Sequence, residues 1–80
     1  MNNDNLIRMA NQIGSFFESM PDRAEASRDI AIHIKKFWDP RMRRAMLAMV
    51  DSGEHELSPL VLAAINEHRA DLQPKPLTVT

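Results

Sequence analysis

Proline-containing junctions divide this chain of 80 residues into segments with a helical pattern. Asp39-Pro40 and Ser58-Pro59 each place a side chain that can cap a helix before a proline, whose missing N–H costs nothing at the first helical position. Pro21 separates two further segments. Between the junctions apolar residues recur every three or four positions, and we find no strand pattern. The sequence therefore predicts an all-α fold, a small compact bundle of four helices with short connections.

The predicted helices cover residues 4–20, 22–38, 40–52 and 58–73. The apolar arc of the first helix approaches half of its circumference, which is typical of a helix wedged between two others. The residues predicted to face the core are Leu6, Ala10, Ile13, Phe17 and Met20; Ala26, Ile30, Ile34 and Phe37; Met42, Ala45, Met46, Met49 and Val50; and Val61, Ile65, His68 and Leu72. Three apolar residues project away from these directions, namely Met9, Phe16 and Ile32.

Length and composition predict one domain, residues 1–73, followed by a flexible C-terminal tail, residues 74–80. The chain has no cysteine, which excludes disulfides and thiolate metal sites. Its polar first residues do not resemble a secretory signal, and no apolar run approaches the roughly 20 residues of a membrane span. We therefore expect a cytoplasmic protein that does not enter a membrane.

Positive charge is concentrated in residues 33–44, which also contain the only tryptophan. The net charge of −1 argues against a nucleic-acid-binding protein. The arginines of this segment open a predicted helix, where the helix dipole disfavours each cation by up to about 1 kcal/mol. One interpretation is that they bind an acidic or phosphorylated partner. The alternative is that they lie on a solvated face and that the neighbouring Phe37, Asp39 and Pro40 only build the corner between two helices.

No residue pattern indicates catalysis, a cofactor or a metal site. His33, His55 and His68 share no spacing that would place them on one helical face. His55-Glu56 opens like the zinc motif H-E-x-x-H, but the closing position is Pro59. Two isolated glycines cannot form a phosphate-binding loop. We therefore expect no catalytic, cofactor-binding or metal-binding residue in this chain.

Two blocks of sequence, residues 9–17 and 33–43, resemble the delta subunit of NAD-dependent, molybdenum-containing formate dehydrogenases. The string Phe-Trp-Asp-Pro-Arg-Met-Arg in the second block is the most specific part of the resemblance. Residues 51–53 and 58–61 resemble the later helix junction and final helix of that family, so the resemblance covers about residues 5–70.

The resemblance implies a small non-catalytic partner of a cytoplasmic complex, so that formate oxidation is an activity of the assembly. In that family the alpha subunit carries the bis-molybdopterin guanine dinucleotide and iron–sulfur clusters, and beta and gamma subunits carry FMN, further clusters and the NAD site. The implied role is to dock on and stabilise the alpha subunit. The alternative is a maturation factor that assists insertion of the molybdenum cofactor and then leaves the enzyme.

We hypothesise that docking uses the corner between the second and third helices. Trp38 would anchor the contact with Phe37 packed beneath it, and the arginines would meet acidic groups or cofactor phosphates. The predicted partner-binding residues are Trp38, Arg41, Arg43, Arg44, Asn11 and Gln12, and the predicted structural corner consists of Phe37, Asp39 and Pro40. Apolar residues outside the core stripes could also let the isolated chain self-associate.

Overall fold

A computed structural model describes residues 3–53 and 56–74. Its helices are α1 (Asn3–Phe17), α2 (Arg23–Phe37), α3 (Pro40–Ser52), α4 (Pro59–Glu67) and α5 (Arg69–Leu72). These two ranges contain no strand, so the predicted all-α class is confirmed. Of the predicted tail only Pro74 is described, and His55 also lies outside the described residues.

The predicted capping residues begin the third and fourth helices. Asp39 Oδ1 accepts a hydrogen bond of 2.9 Å from the Met42 N–H, and Ser58 Oγ accepts one of 3.4 Å from the Val61 N–H. Each cap satisfies a donor that the helix itself leaves free. At the other end of α3, Gly53 has a φ of 76°, a left-handed conformation that glycine adopts without steric cost.

The predicted fourth helix is interrupted at His68. The backbone there has φ −115° and ψ 26°, so α4 ends and α5 continues as a single turn. The His68 N–H donates to the Ala64 carbonyl and its own carbonyl accepts from the Leu72 N–H, which keeps the interruption hydrogen-bonded. After the bend Leu72 is fully buried, whereas His68 itself is only half-buried.

Helices α1 and α2 form the centre of the molecule. Helix α1 packs against α2, α3 and α4, in agreement with its wide apolar arc, and α2 packs against α4 and α5. Gly14 lies where α1 meets α4, and a Cβ added there would be 2.4 Å from Val61 Cγ2. Ser27 Oγ, on α2, donates a 2.7 Å hydrogen bond to Glu67 Oε2 at the end of α4. These contacts hold α4 against both central helices.

The core contains most of the residues predicted for it, with one clear exception at the end of α2. Phe37, predicted to face the core, is 68 % exposed, whereas Trp38 is 5 % exposed. The helical projection fails here because α2 ends at Phe37, and Trp38 is its C-cap with an extended backbone (φ −91°, ψ 134°). Trp38 therefore turns inward, and the larger aromatic side chain is the one removed from water. The predicted arrangement, with Phe37 beneath Trp38, is wrong.

No helix within the described ranges combines the length and the apolar character needed to traverse a lipid bilayer.

Candidate functional site

An apolar groove of about 580 Å³ opens between α1, α2 and the start of α3. Met9, Ile13 and Phe16 form its α1 wall, at a spacing of four and three residues that places them on one helical face. His33 and Phe37 form the α2 wall. Trp38 and Met42 line it from the α2–α3 corner, and Gln12 contributes a polar group on α1. We refer to this feature as the apolar groove.

Aromatic rings connect the two walls of the apolar groove. The Phe16 and Phe17 rings have centroids 5.1 Å apart and meet edge to face at 80°. The Phe17 ring then contacts His33 at 6.4 Å, and His33 contacts Phe37 at 4.7 Å with a tilt of 43°. Such pairs contribute about 0.5–1.5 kcal/mol each beyond area burial. The contacts therefore favour defined ring positions even where the side chains face solvent.

Exposed apolar surface is concentrated at the apolar groove. Among the described residues, the large apolar side chains left exposed are Met9 (36 %), Phe16 (78 %), Ile32 (51 %) and Phe37 (68 %). All except Ile32 line the apolar groove. Apolar residues exposed singly are common on soluble proteins, but clustered ones mark interaction sites. The sequence pattern predicts Met9 and Phe16 at the margin of the apolar stripe of α1 and Ile32 on nearly the opposite side of α2 from the core.

Exposed cations surround the α2–α3 corner beside the apolar groove. They are Lys35, Lys36, Arg41 and Arg44, and no acidic residue lines the apolar groove. Asp39 lies among these cations, but its carboxylate also accepts the capping hydrogen bond of α3. Lys36 and Arg41 directly precede Phe37 and Met42, which line the apolar groove, whereas the helical period places Lys35 and Arg44 on other faces of their helices.

Arg43 differs from its neighbours because it reaches into the molecule. It is half-buried, and its Nη1 donates a long hydrogen bond of 3.5 Å to the Leu72 carbonyl at the end of α5. Its Nε is buried and has no hydrogen-bond partner among the described residues. Of the three arginines predicted to bind a partner, only Arg41 and Arg44 are exposed.

Asn11 and Gln12, predicted to face a partner together, have different surroundings. Asn11 Nδ2 donates to the Glu56 carbonyl at 2.9 Å, and Asn11 Oδ1 accepts from the Ser58 N–H at 2.8 Å. Both ends of this amide therefore connect α1 to the segment that begins α4. Gln12 is exposed and lines the apolar groove. Asn11 therefore bonds to residues more than 40 positions away in the sequence, and no local pattern predicts these contacts.

A second, polar cleft of about 980 Å³ lies on another side of α1. Gln12 borders both clefts, and the other residues that line this one are Asp4, Ile7, Arg8, Asn11, Ser15, Gly53 and Glu56. Within residues 3–53 and 56–74, no group of three or more histidine or acidic side chains is arranged to hold a metal ion. The apolar groove is therefore the surface on which the aromatic and basic features predicted from sequence converge.

Comparison with known proteins identifies one family. The profile described as the NADH-dependent formate dehydrogenase delta subunit, FdsD, matches residues 5–65, which is well over half of the chain. The matched region includes both walls of the apolar groove and the α2–α3 corner. No curated protein and no solved structure matches the chain. The chain belongs to the family of NADH-dependent formate dehydrogenase delta subunits.

Proposed function

We propose that this protein is a non-catalytic accessory subunit that docks on and stabilises the molybdenum-containing alpha subunit of a cytoplasmic formate dehydrogenase, in a complex with beta and gamma subunits. Membership of the delta subunit family supports the assignment to this enzyme. The observation that carries the docking role is the apolar groove, which exposes two phenylalanine rings on one side of the domain.

Phe16 and Phe37, and not Trp38, are the proposed aromatic anchors. Both phenylalanine rings are exposed, whereas the 5 % exposure of Trp38 leaves little surface for a partner. Trp38 instead supports the apolar groove from the core, while Asp39 and Pro40 set the direction in which α3 leaves the corner. Anchors that are already held in place lose less side-chain entropy on binding.

The polar residues predicted to bind a partner fall into two groups. Gln12 is exposed within the apolar groove, Arg41 and Arg44 are exposed at the start of α3, and all three are proposed to contact the partner. Arg43 and Asn11 hold parts of this chain together through the Leu72 carbonyl and the segment before α4. In this proposal their substitution affects docking only through the fold.

The apolar groove alone is too small to hold a stable complex. Burying a phenylalanine side chain contributes about 1.5–3 kcal/mol, so two rings contribute about 3–6 kcal/mol before any cost of association. A micromolar complex requires about 8 kcal/mol net, and association itself costs at least about 4 kcal/mol. The interface must therefore extend beyond the apolar groove, and the adjacent basic residues of α2 and α3 are the nearest surface.

A second candidate function is assistance in inserting the molybdenum guanine dinucleotide cofactor, followed by release from the mature enzyme. Exposed Arg41 and Arg44 at the N-terminal turn of α3 favour this candidate. Cations together with a helix N-terminus form a surface that attracts phosphate groups. Asp39 opposes it, because its carboxylate occupies the cap of the same helix.

Purification of the enzyme through an affinity tag on its alpha subunit tests both candidates. A stabilising subunit will be present in the active enzyme at one copy per alpha subunit, as measured by native mass spectrometry. Deletion of its gene will then lower the yield and thermal stability of the enzyme. A maturation factor will be found only on alpha subunit that lacks the molybdenum cofactor. A chain that associates with neither form contradicts both candidates.

A further inference from the structure

We propose that the apolar groove receives an amphipathic helix of the alpha subunit, with apolar side chains between Phe16 and Phe37 and carboxylates beside the basic residues of the α2–α3 corner. This inference rests on the proposed function and specifies the element of the partner that docks. It follows from the dimensions of the apolar groove, from the absence of a sheet edge in the described residues, and from charge.

The α1 wall of the apolar groove has the spacing and length of a helix contact. From Met9 to Phe16 the wall extends about 10 Å along the axis, at a rise of about 1.5 Å per residue. This is two helical turns, the length over which a partner helix presents apolar side chains at positions i, i+3 or i+4, and i+7. A volume of about 580 Å³ accommodates a few side chains and excludes a whole helix. The partner helix therefore lies across the opening and inserts side chains.

An extended partner segment has no strand to pair with in the described residues. Extended peptides add a strand to a sheet edge, which residues 3–53 and 56–74 do not provide, or dock as proline-rich segments whose backbone stays in water. A cross-linked segment rich in proline would therefore overturn the inference. The lining side chains are mostly apolar, and the polar contributions are Gln12 on α1 and His33 on α2. A helix satisfies its own backbone groups before it docks, so it can cover such a surface without leaving buried N–H and C=O groups unpaired.

Charge favours a partner that carries carboxylates. Exposed Lys36 and Arg41 directly precede Phe37 and Met42, which line the apolar groove at the α2–α3 corner, and no acidic residue lines the groove. Carboxylates on a partner helix would therefore be attracted to this corner. Two copies of this chain would bring the same cations together only where the two-fold axis of an isologous contact passes beside them.

Photo-cross-linking in the intact complex tests the identity of the bound element. The reactive residue p-benzoylphenylalanine is introduced in separate variants at Phe16, at Phe37 and, as a control, at Ile32, which is 51 % exposed but does not line the apolar groove. We expect the first two variants to cross-link one alpha-subunit segment with apolar residues at helical spacing and acidic residues on its flank. A cross-link to a second copy, to a basic segment or to one with strand alternation overturns the inference, as does equal cross-linking from Ile32.

Affinity measurements on purified alpha subunit provide an independent test. Phe16→Ala and Phe37→Ala should each weaken binding about tenfold or more, and the control Ile32→Ala should change it less than twofold. Phe16→Gln repeats the test with a polar side chain whose size lies between those of alanine and phenylalanine. Circular dichroism melting verifies that each variant is folded. Unchanged affinity in the folded phenylalanine variants overturns the inference.

Salt dependence tests the charge component. The double variant Lys36→Glu and Arg41→Glu should bind more weakly and should lose most of the decrease in affinity that the original chain shows with added salt. The double variant Arg23→Glu and Arg28→Glu is the matched control, because it changes the charge equally and both arginines are exposed about 21 and 14 Å from Phe37 along α2. If the test variant and the control weaken binding to the alpha subunit equally, the proposal of an acidic partner is overturned. If the original chain does not bind the alpha subunit at all, the proposed function itself fails, which distinguishes the two results.

Discussion

Replacing Gly14 by alanine tests the close approach of α1 and α4 that organises the core. A Cβ at this position would lie 2.4 Å from Val61 Cγ2 and 3.4 Å from Ser58 Oγ, and Val61 is fully buried. Overpacking of this kind costs about 1–3 kcal/mol. Alanine also stabilises a helix interior by about 0.5–1 kcal/mol relative to glycine. Subtracting the gain from the cost leaves a net loss of up to about 2.5 kcal/mol, centred near 1 kcal/mol, in the free energy of unfolding.

Urea denaturation of the purified domain, followed by circular dichroism, measures this loss. In a separate thermal melt, each kcal/mol lost should lower the melting temperature by about 4–8 °C. Ser15→Ala is the matched control, because Ser15 is exposed on the next position of the same helix and should change stability by less than about 0.5 kcal/mol. A Gly14→Ala variant more stable than the original chain by about 0.5–1 kcal/mol, the gain in helix propensity alone, would refute the close approach.

A double-mutant cycle locates the source of the loss. Val61→Ala alone should cost about 2–3 kcal/mol, because it removes two buried methyl groups and leaves a cavity. In the double variant the new alanine at position 14 no longer meets Val61 Cγ2 and occupies part of that cavity. The two losses should therefore fall short of additivity by at least about 1 kcal/mol. Strict additivity would show that Gly14→Ala acts through something other than Val61.

Three further substitutions test the local contacts. Asp39→Ala removes the cap of α3 and should lower the free energy of unfolding by about 1 kcal/mol, measured by urea denaturation. Asn11→Ala removes both hydrogen bonds to the segment before α4 and should cost about 1–3 kcal/mol, with increased hydrogen exchange at the Ser58 amide; unchanged exchange would contradict the connection. Trp38→Ala should cost about 3–5 kcal/mol of stability, so that any loss of docking accompanies unfolding, whereas a folded variant that only fails to bind would restore Trp38 as an anchor.

The starts of α3 and α4 and the end of α3 were predictable because their signals are local. A side-chain acceptor followed by proline begins α3 and α4, and the capping hydrogen bonds join residues only three positions apart. Gly53 ends α3 by its own conformation. The bend at His68 is different, since neither proline nor glycine marks it and it depends on how Leu72 reaches the core. Sequence periodicity therefore predicts where helices begin more reliably than where tertiary packing bends them.

The docking surface was only partly predictable. Phe16 and Met9 were recognised as apolar residues outside the core stripe, and the structure leaves both exposed in one groove. The exchange between Phe37 and Trp38 was not predictable, because it depends on α2 ending one residue before the tryptophan. The connection of Asn11 to Ser58 was also inaccessible, since no spacing pattern relates residues that far apart in the chain.

The position at which α2 ends links the core of this domain to its proposed docking surface. Because the helix stops at Phe37, Trp38 enters the core and Phe37 is left on the surface, where it forms one wall of the apolar groove. Leaving a phenylalanine in water forgoes about 1.5–3 kcal/mol, a considerable part of the 5–15 kcal/mol that typically stabilises a folded domain. The apolar groove contains a second such ring, Phe16. An 80-residue domain that leaves both rings exposed forgoes this stabilisation when isolated and recovers part of it only when another surface covers them, which is why we place docking at the apolar groove.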